Sequence, residues 1–301
     1  MNDPATERRQ RLTGIALMCG AVLSFAILDC MAKYLGGHMD TLQVVGVRYA
    51  AAFMLTLMIS NPLTRPGLLK TARLPLQIGR SALLLLSTIF NFAAFRYLQL
   101  DEALAILFST PLLVAIMAGP MLGEWVGWRR WTAIMMGFVG VLAVVRPGFG
   151  GMHWAALLSL GSALCYAAYN IFTRMLSRTD SSETTLFYSN MLGALVMLPV
   201  LPFVWTAPSG WLDVVLMVAL GAFGAGGHFL SILAHRRAPA SVLSPFIYTQ
   251  IVWAVTLGYL VFADKPTGWT IAGAAIVIAS GLYLLYRERV VTGRVAPIEP
   301  G

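Results

Sequence analysis

The sequence predicts an all-α integral membrane protein with ten transmembrane helices arranged as two inverted five-helix repeats. Three observations carry this expectation: an apolar composition, a chain that repeats itself, and basic residues gathered on one side of the spans. Of 301 residues, 58% are hydrophobic and 11% charged, and the mean hydropathy is +0.75. An ordinary soluble domain carries about 25% charged residues, so this chain cannot clothe a water-facing surface. A bilayer core is crossed by a helix of about 20 apolar residues, which satisfies its own backbone polar groups. A membrane barrel would instead need alternating segments of about ten residues, and the sequence has none.

Ten such spans are read at 13–34, 41–60, 77–97, 103–122, 129–146, 154–175, 184–204, 213–234, 242–262 and 268–286. Short connections leave no room for an inserted soluble domain. The stretch Arg8, Arg9, Arg11 ahead of the first span has the look of a signal-peptide n-region. However, 13–34 is long for a cleaved apolar core and has a partner in the second half of the chain, so its retention is expected.

That partner is the second observation. "AVLSFAILDCMAKYL" (21–35) lies over "SALCYAAYNIFTRML" (162–176) at an offset of 141, with Phe25 on Tyr166, Asp29 on Asn170 and Lys33 on Arg174. Gln43 falls on Thr184 in the next span. At an offset of 140, Asn91 falls on Ser231, Arg96 on Arg236 and Glu124 on Asp264. Each copy holds five spans. Five is odd, so the second copy enters the membrane from the opposite side. The resulting division is a tail over 1–12, repeat one over 13–148, repeat two over 149–287 and a tail over 288–301.

The basic residues supply the third observation, because cytoplasmic loops collect Lys and Arg. With the N-terminus inside, Lys33, Arg96, Arg146 and Lys265 fall at outer ends and Arg48 within span two. The other 16 of the 21 basic residues, Arg80 and Arg174 among them, are assigned to inner segments. Both termini are therefore expected in the cytoplasm of a bacterial-type inner membrane. The net charge of +8 is accounted for by these loops and calls for no nucleic-acid partner. Trp125, Trp128, Trp131, Trp154, Trp205, Trp211 and Trp269 stand near span ends, as interfacial anchors do; Trp253 lies deep.

Inverted repeats around a midplane site are a recurring transporter design. The stretches "FNFAAFRYLQLDEALAILFSTPLL" (90–113), "MLGEWVGWRRWTAIMMGFVGVLAVVRPG" (121–148) and "HFLSILAHRRAPASVLSPFIYTQIVWAVTLGYLVF" (228–262) resemble the drug/metabolite transporter superfamily in its ten-span EamA-type branch. Among characterised branches the chain looks most like the YddG-type exporters of aromatic and other neutral amino acids. The resemblance also holds the alternative of riboflavin, S-adenosylmethionine or another metabolite. It implies that spans 1–4 and 6–9 enclose the cavity while spans 5 and 10 stand aside. Gly137, Gly140, Gly273 and Gly281 fit that division, since small residues let helices pack closely in lipid; a monomer or a homodimer across these spans would both suit.

Candidate site residues follow from polar groups inside spans, where a charge costs a few kcal/mol at least. Asp29 is the acidic residue set well inside a span. Lys33, four residues on, and Arg48, on the next span, are its candidate partners. Together they form either a structural ion pair or a coupling and gating group. His228, within "GAFGAGGHFLS", and the repeat mates Asn91 and Ser231 are candidates for one cavity. Tyr166, Tyr169 and Asn170 on span six, with Tyr248, Gln250 and Trp253 on span nine, offer aromatic faces and amides, against the alternative that they are packing. His38, His153 and His235 read as structural or solvated. Pro111 and Pro245 are expected to interrupt spans 4 and 9.

Enzyme chemistry finds no support. No lysine sits in a P-loop, and H-E-x-x-H and G-x-S-x-G are missing from the sequence, so no ATP drive, cofactor or metal is expected. Cys19, Cys30 and Cys165 lie in spans without a metal or disulfide spacing. A channel would want rings of charge, and a scaffold would not need two matched halves. The partners expected are a small-molecule substrate and the lipid bilayer.

Overall fold

Among the described residues every regular element is helical and no strand is found. A computed structural model provides the fold and describes residues 4–60, 62, 64–94, 96–97, 106–107, 109–145, 154–262 and 268–290. Its longer helices are α1 (Pro4–Gly36), α2 (Thr41–Ile59), α3 (Leu74–Ala94), α4 (Thr110–Leu122), α5 (Trp128–Val145), α6 (Ala156–Leu176), α7 (Ser182–Met197), α8 (Trp211–Arg237), α9 (Gln250–Phe262) and α10 (Gly268–Val290). Among the described residues, six helical segments are long and apolar enough to cross a membrane: Thr6–Gly36, Thr41–Ile59, Leu74–Ala94, Ala156–Leu176, Trp211–Arg237 and Pro245–Phe262. His153, Arg146, Asp264, Lys265 and Arg294 lie outside the described residues.

Local chemistry sets the helix ends. Asp40 caps α2 by accepting from the Leu42 N–H at 2.8 Å, and Ser181 caps α7 by accepting from the Thr184 N–H at 3.0 Å. Each side chain satisfies a donor that the first helical turn leaves orphaned. Helix α4 stops at Gly123, whose φ of 71° is the left-handed conformation that glycine adopts without a Cβ penalty.

Both prolines fall where their expected spans are interrupted. Pro111, inside the span read as 103–122, stands in the first turn of α4. Pro245 lies in a 3₁₀ turn, Ser244–Thr249, that precedes α9. Proline lacks the N–H that an inner helical position must donate, whereas the first turn has no intrahelical acceptor for it. Both α4 and α9 are therefore short, at 13 residues each.

Helix α1 packs on α8 and α9, α3 on α6 and α7, α2 on α7 and α8, α4 on α6, and α5 on α10. Met58 and Ile59 on α2, Val214 and Val218 on α8, and Ile271 and Leu282 on α10 are exposed. Such breadth of outward apolar surface suits lipid rather than water. Trp125, Trp128, Trp154, Trp205, Trp211 and Trp269 are exposed near helix ends. Trp131 instead packs beside a buried cluster of Ala115, Ile134, Tyr248 and Ile251.

Candidate functional site

A cavity of about 80 Å³ lies among α1, α2, α3, α6, α8 and the start of α9. Phe25, Leu28 and Asp29 reach it from α1, Arg48 from α2, and Leu84, Ser87, Thr88, Asn91 and Phe92 from α3. Leu107, Ser162, Tyr166, His228 and Gln250 complete the wall. The repeat mates Phe25 and Tyr166 both line it, so the self-similarity of the chain contributes one aromatic ring from each half.

Several of the polar groups form one connected chain. Arg48 is 5% exposed; it donates to Thr88 Oγ1 at 2.8 Å and its Nη2 meets His228 Nε2 at 3.0 Å. His228 Nδ1 meets the Tyr169 hydroxyl at 3.0 Å, and the same hydroxyl accepts from Arg80 Nη2 at 2.9 Å. Arg80 also donates to Thr173 Oγ1, to the Thr185 carbonyl and to Ser189 Oγ, and lies over the Tyr169 ring at 4.4 Å. Arginine donates only, so His228 Nε2 accepts from Arg48. The proton of the neutral ring is then on Nδ1 and is donated to Tyr169; the tautomer follows from the bonding pattern.

Sequence reasoning placed Arg80 among the cytoplasmic basic residues. It is instead fully buried, about one and a half turns inside α3. The side chain finds acceptors on α6 and α7 there, which compensates for the water it loses. The signal was available in α3: Gln77, Ser81, Thr88 and Asn91 recur at helical spacing with Arg80 beside them, a polar stripe down an apolar span. Arg174, read as a basic residue at an inner span end, lies in the last turn of α6.

Asp29 takes neither expected ion pair. Its Oδ2 accepts from Gln250 Nε2 at 2.8 Å, while Arg48 points to Thr88 and His228. Lys33 sits one turn further along α1, over the Phe262 ring at 4.3 Å.

Of the other candidates, Asn91, Tyr166, His228 and Gln250 line the cavity, and Tyr169 stands one layer behind it, stacked on Tyr166 with ring centroids 5.5 Å apart. The remaining four lie away from it. Asn170 donates to the Tyr166 carbonyl at 2.7 Å. Ser231 is fully buried on α8, where its carbonyl meets His235 Nδ1. Tyr248 is buried against Gly137 of α5, and Trp253 packs beside Ile15, Met18 and Phe246. On α9, Gln250 turns to Asp29 at the cavity, whereas Trp253 faces the Ile15 and Met18 stretch of α1.

The two ends of the bundle differ. At the end holding the N-terminus of α1, Glu124 accepts from Arg174 at 2.8 Å and from the Ala240 N–H at 2.8 Å, and Arg174 donates to the His235 carbonyl at 2.6 Å. Beside it Asp180 accepts from Thr71, Gln77 and the Ala72 N–H, and Arg236 donates to the Asp180 carbonyl. Burial pushes the Asp180 carboxyl up, but these hydrogen bonds outweigh it and hold it below the usual carboxylate range. At the other end a second cavity of about 300 Å³ is lined by Lys33, Gly36, Thr41, Phe92 and Arg96 among others. Phe92 borders both cavities. Polar contacts thus tie the helices together at one end, and Phe92 stands between the central cavity and the second one at the other.

The EamA-like transporter family matches this chain twice, over residues 12–146 and 153–287. An S-adenosylmethionine uptake transporter of Rickettsia felis is 28% identical over 295 residues, covering 96% of this chain and 97% of its own. A riboflavin transporter of Vibrio cholerae is 29% identical, with 92% and 94% covered. A pseudopaline exporter of Pseudomonas aeruginosa is 22% identical, with 90% and 95% covered. A solved crystal structure aligns with a TM-score of 0.78 at 17% identity, covering 92% of this chain and 98% of that one, and so shares the fold. These relatives carry names of metabolite transporters rather than of amino-acid exporters, which moves the substrate reading to the alternative that the resemblance already held. Two matches along one all-helical chain leave one conclusion: it belongs to the EamA-like transporter family, multi-pass membrane transporters of the drug/metabolite type.

Proposed function

We propose that this chain is a secondary carrier of an S-adenosylmethionine-like metabolite, working by alternating access across a bacterial inner membrane. The observation that carries this reading is full-length similarity to S-adenosylmethionine uptake transporters. The cavity supports it, because buried charged and amide groups flanked by two aromatic rings suit a ligand with a charged head and a flat base.

A ten-span inverted repeat is part of the proposal. Adding five to each helix number turns α1–α8 packing into α6–α3, α2–α8 into α7–α3, and α9–α1 into α4–α6, while α2–α7 and α5–α10 map onto themselves. The double family match supports the same division. In such a carrier the two halves exchange conformations, and the sealed end exchanges with the open one. A small-molecule site occupies roughly 300–1,000 Å³. The central cavity, at about 80 Å³, is therefore the contracted state, and substrate entry must widen it, with Phe92 swinging aside.

Purified protein in vesicles should give saturable S-adenosylmethionine flux that accelerates when the far side is preloaded with unlabelled substrate. Riboflavin and phenylalanine are the comparison substrates. Riboflavin or phenylalanine counterflow without S-adenosylmethionine flux would replace the substrate, and linear flux of all three would remove the carrier reading. Reporter fusions after Gly150 and at the C-terminus should report periplasm and cytoplasm respectively; the same side at both points would end the inverted repeat.

A further inference from the structure

We propose that Arg48 is the carboxylate receptor of the central cavity and that His228 and Thr88 are neutral placeholders for the substrate's oxygens. This rests on the carrier reading and narrows its substrate to acids. Arg48 is buried, yet among the described residues no carboxylate lies within 4.0 Å of it. Its two acceptors are uncharged: a threonine hydroxyl and a neutral imidazole. Each keeps one other hydrogen bond on release, while His228 Nε2 loses its donor. Thr88 keeps its bond to the Leu84 carbonyl at 2.9 Å, and His228 keeps Tyr169.

A buried cation whose direct contacts are all neutral, with the Asp29 carboxylate acting on it only from beyond 4.0 Å, is poorly compensated. A carboxylate entering the cavity can take both outer nitrogens of the guanidinium in a fork, a shorter and stronger contact than either placeholder makes. Two further groups define the rest of the ligand. Among the described residues Asn91 Oδ1 is buried with no hydrogen-bond partner, so it can accept from an N–H. Asp29, on the facing helix, offers a carboxylate to a cation, with Gln250 steadying it. A carboxylate receptor set beside a cation receptor is the complement of an α-amino-acid headgroup. S-adenosylmethionine carries that headgroup; riboflavin has neither a carboxylate nor an ammonium.

The test is equilibrium binding to the full chain in lipid nanodiscs with matched pairs. The pairs are S-adenosylmethionine against its decarboxylated form and L-phenylalanine against L-phenylalaninamide, with riboflavin as a carboxylate-free probe. At least one acid should bind about tenfold or more tightly than its partner, since a site built for a hydrogen-bonding group rejects the analogue lacking it. Arg48→Gln should bring that ratio close to one, and Arg48→Lys, which keeps the charge but not the fork, should leave an intermediate ratio. Should Arg48→Gln not fold, the ratio in Arg48→Lys must still fall below that of the wild type. Discrimination by phenylalanine with S-adenosylmethionine silent would remove the S-adenosylmethionine reading and keep the receptor. Equal binding within both pairs, no binding by either acid, riboflavin bound as tightly as the acids, or a ratio unchanged in the Arg48 variants would overturn the proposal.

Discussion

Gly221→Ala is expected to pry α2 from α8, while Gly226→Ala, five residues along the same helix, is expected to leave the protein as stable or more so. A Cβ on Gly221 would stand 2.4 Å from Ala51 Cβ and 2.6 Å from the Ala52 nitrogen. Backbone cannot swing aside as a side chain can, so the helices must separate. Overpacking of this kind costs about 1–3 kcal/mol. Around Gly226 nothing lies within 4 Å, and alanine there gains up to about 1 kcal/mol of helix propensity. Thermal unfolding in detergent micelles of the two single variants is the measurement. Equal shifts would mean that the α2–α8 seam is loose enough to absorb a methyl group. Sequence alone offers three roles for Gly221, Gly224, Gly226 and Gly227: close packing, a hinge or a cavity wall. Neighbours now divide them: Gly221 meets backbone, Gly227 meets the Phe25 ring, Gly224 meets Arg48, and Gly226 meets nothing.

Arg80→Ala should destabilise the protein by about 2–5 kcal/mol, whereas Arg80→Met should recover most of that loss without recovering transport. The argument runs through the partners of Arg80. Thr173 Oγ1 also donates to the Tyr169 carbonyl at 2.7 Å, Ser189 Oγ to the Thr185 carbonyl at 2.9 Å, and the Tyr169 hydroxyl also meets His228. Removing the guanidinium therefore leaves few orphaned groups and mainly a void. A void in a packed core costs what large-to-small substitutions cost, and an apolar side chain of similar volume can replace a buried charge at little loss. Transport should fall in both variants because the Tyr169–His228–Arg48 chain loses its anchor. Reversible unfolding in mixed micelles, read beside flux per folded protein, separates the two effects. If Arg80→Met is as unstable as Arg80→Ala, the hydrogen bonds rather than the volume hold α3 against α6 and α7.

Helix after helix was legible in the chain because lipid leaves so little choice. An apolar run of about 20 residues in a bilayer must be helical, and polar groups inside it stand out against the apolar background. Asp29, Arg48, Asn91, Tyr166, His228 and Gln250 were found in this way, and all six line the cavity. Arg80 was missed because proximity to a span end was read as exposure, although its place in the stripe of α3 argued otherwise. Trp253 and Tyr248 could not be told from cavity residues because an aromatic residue in a span looks the same in sequence whether it faces a cavity or a neighbouring helix.

The sequence by itself determined the class, the helices, the twofold self-similarity and the set of buried polar residues. Each of these follows from composition and spacing along one strand of chain, where hydrophobic burial and backbone satisfaction act locally. Only the tertiary structure decided partners. Asp29 meets Gln250, 221 positions away, rather than Lys33, four away, and Arg48 meets His228, 180 positions away. Those choices depend on the rotation of each helix about its axis and on which neighbour it packs against. A few tens of degrees there exchange a cavity wall for a lipid face, and no periodicity within a single helix encodes that angle.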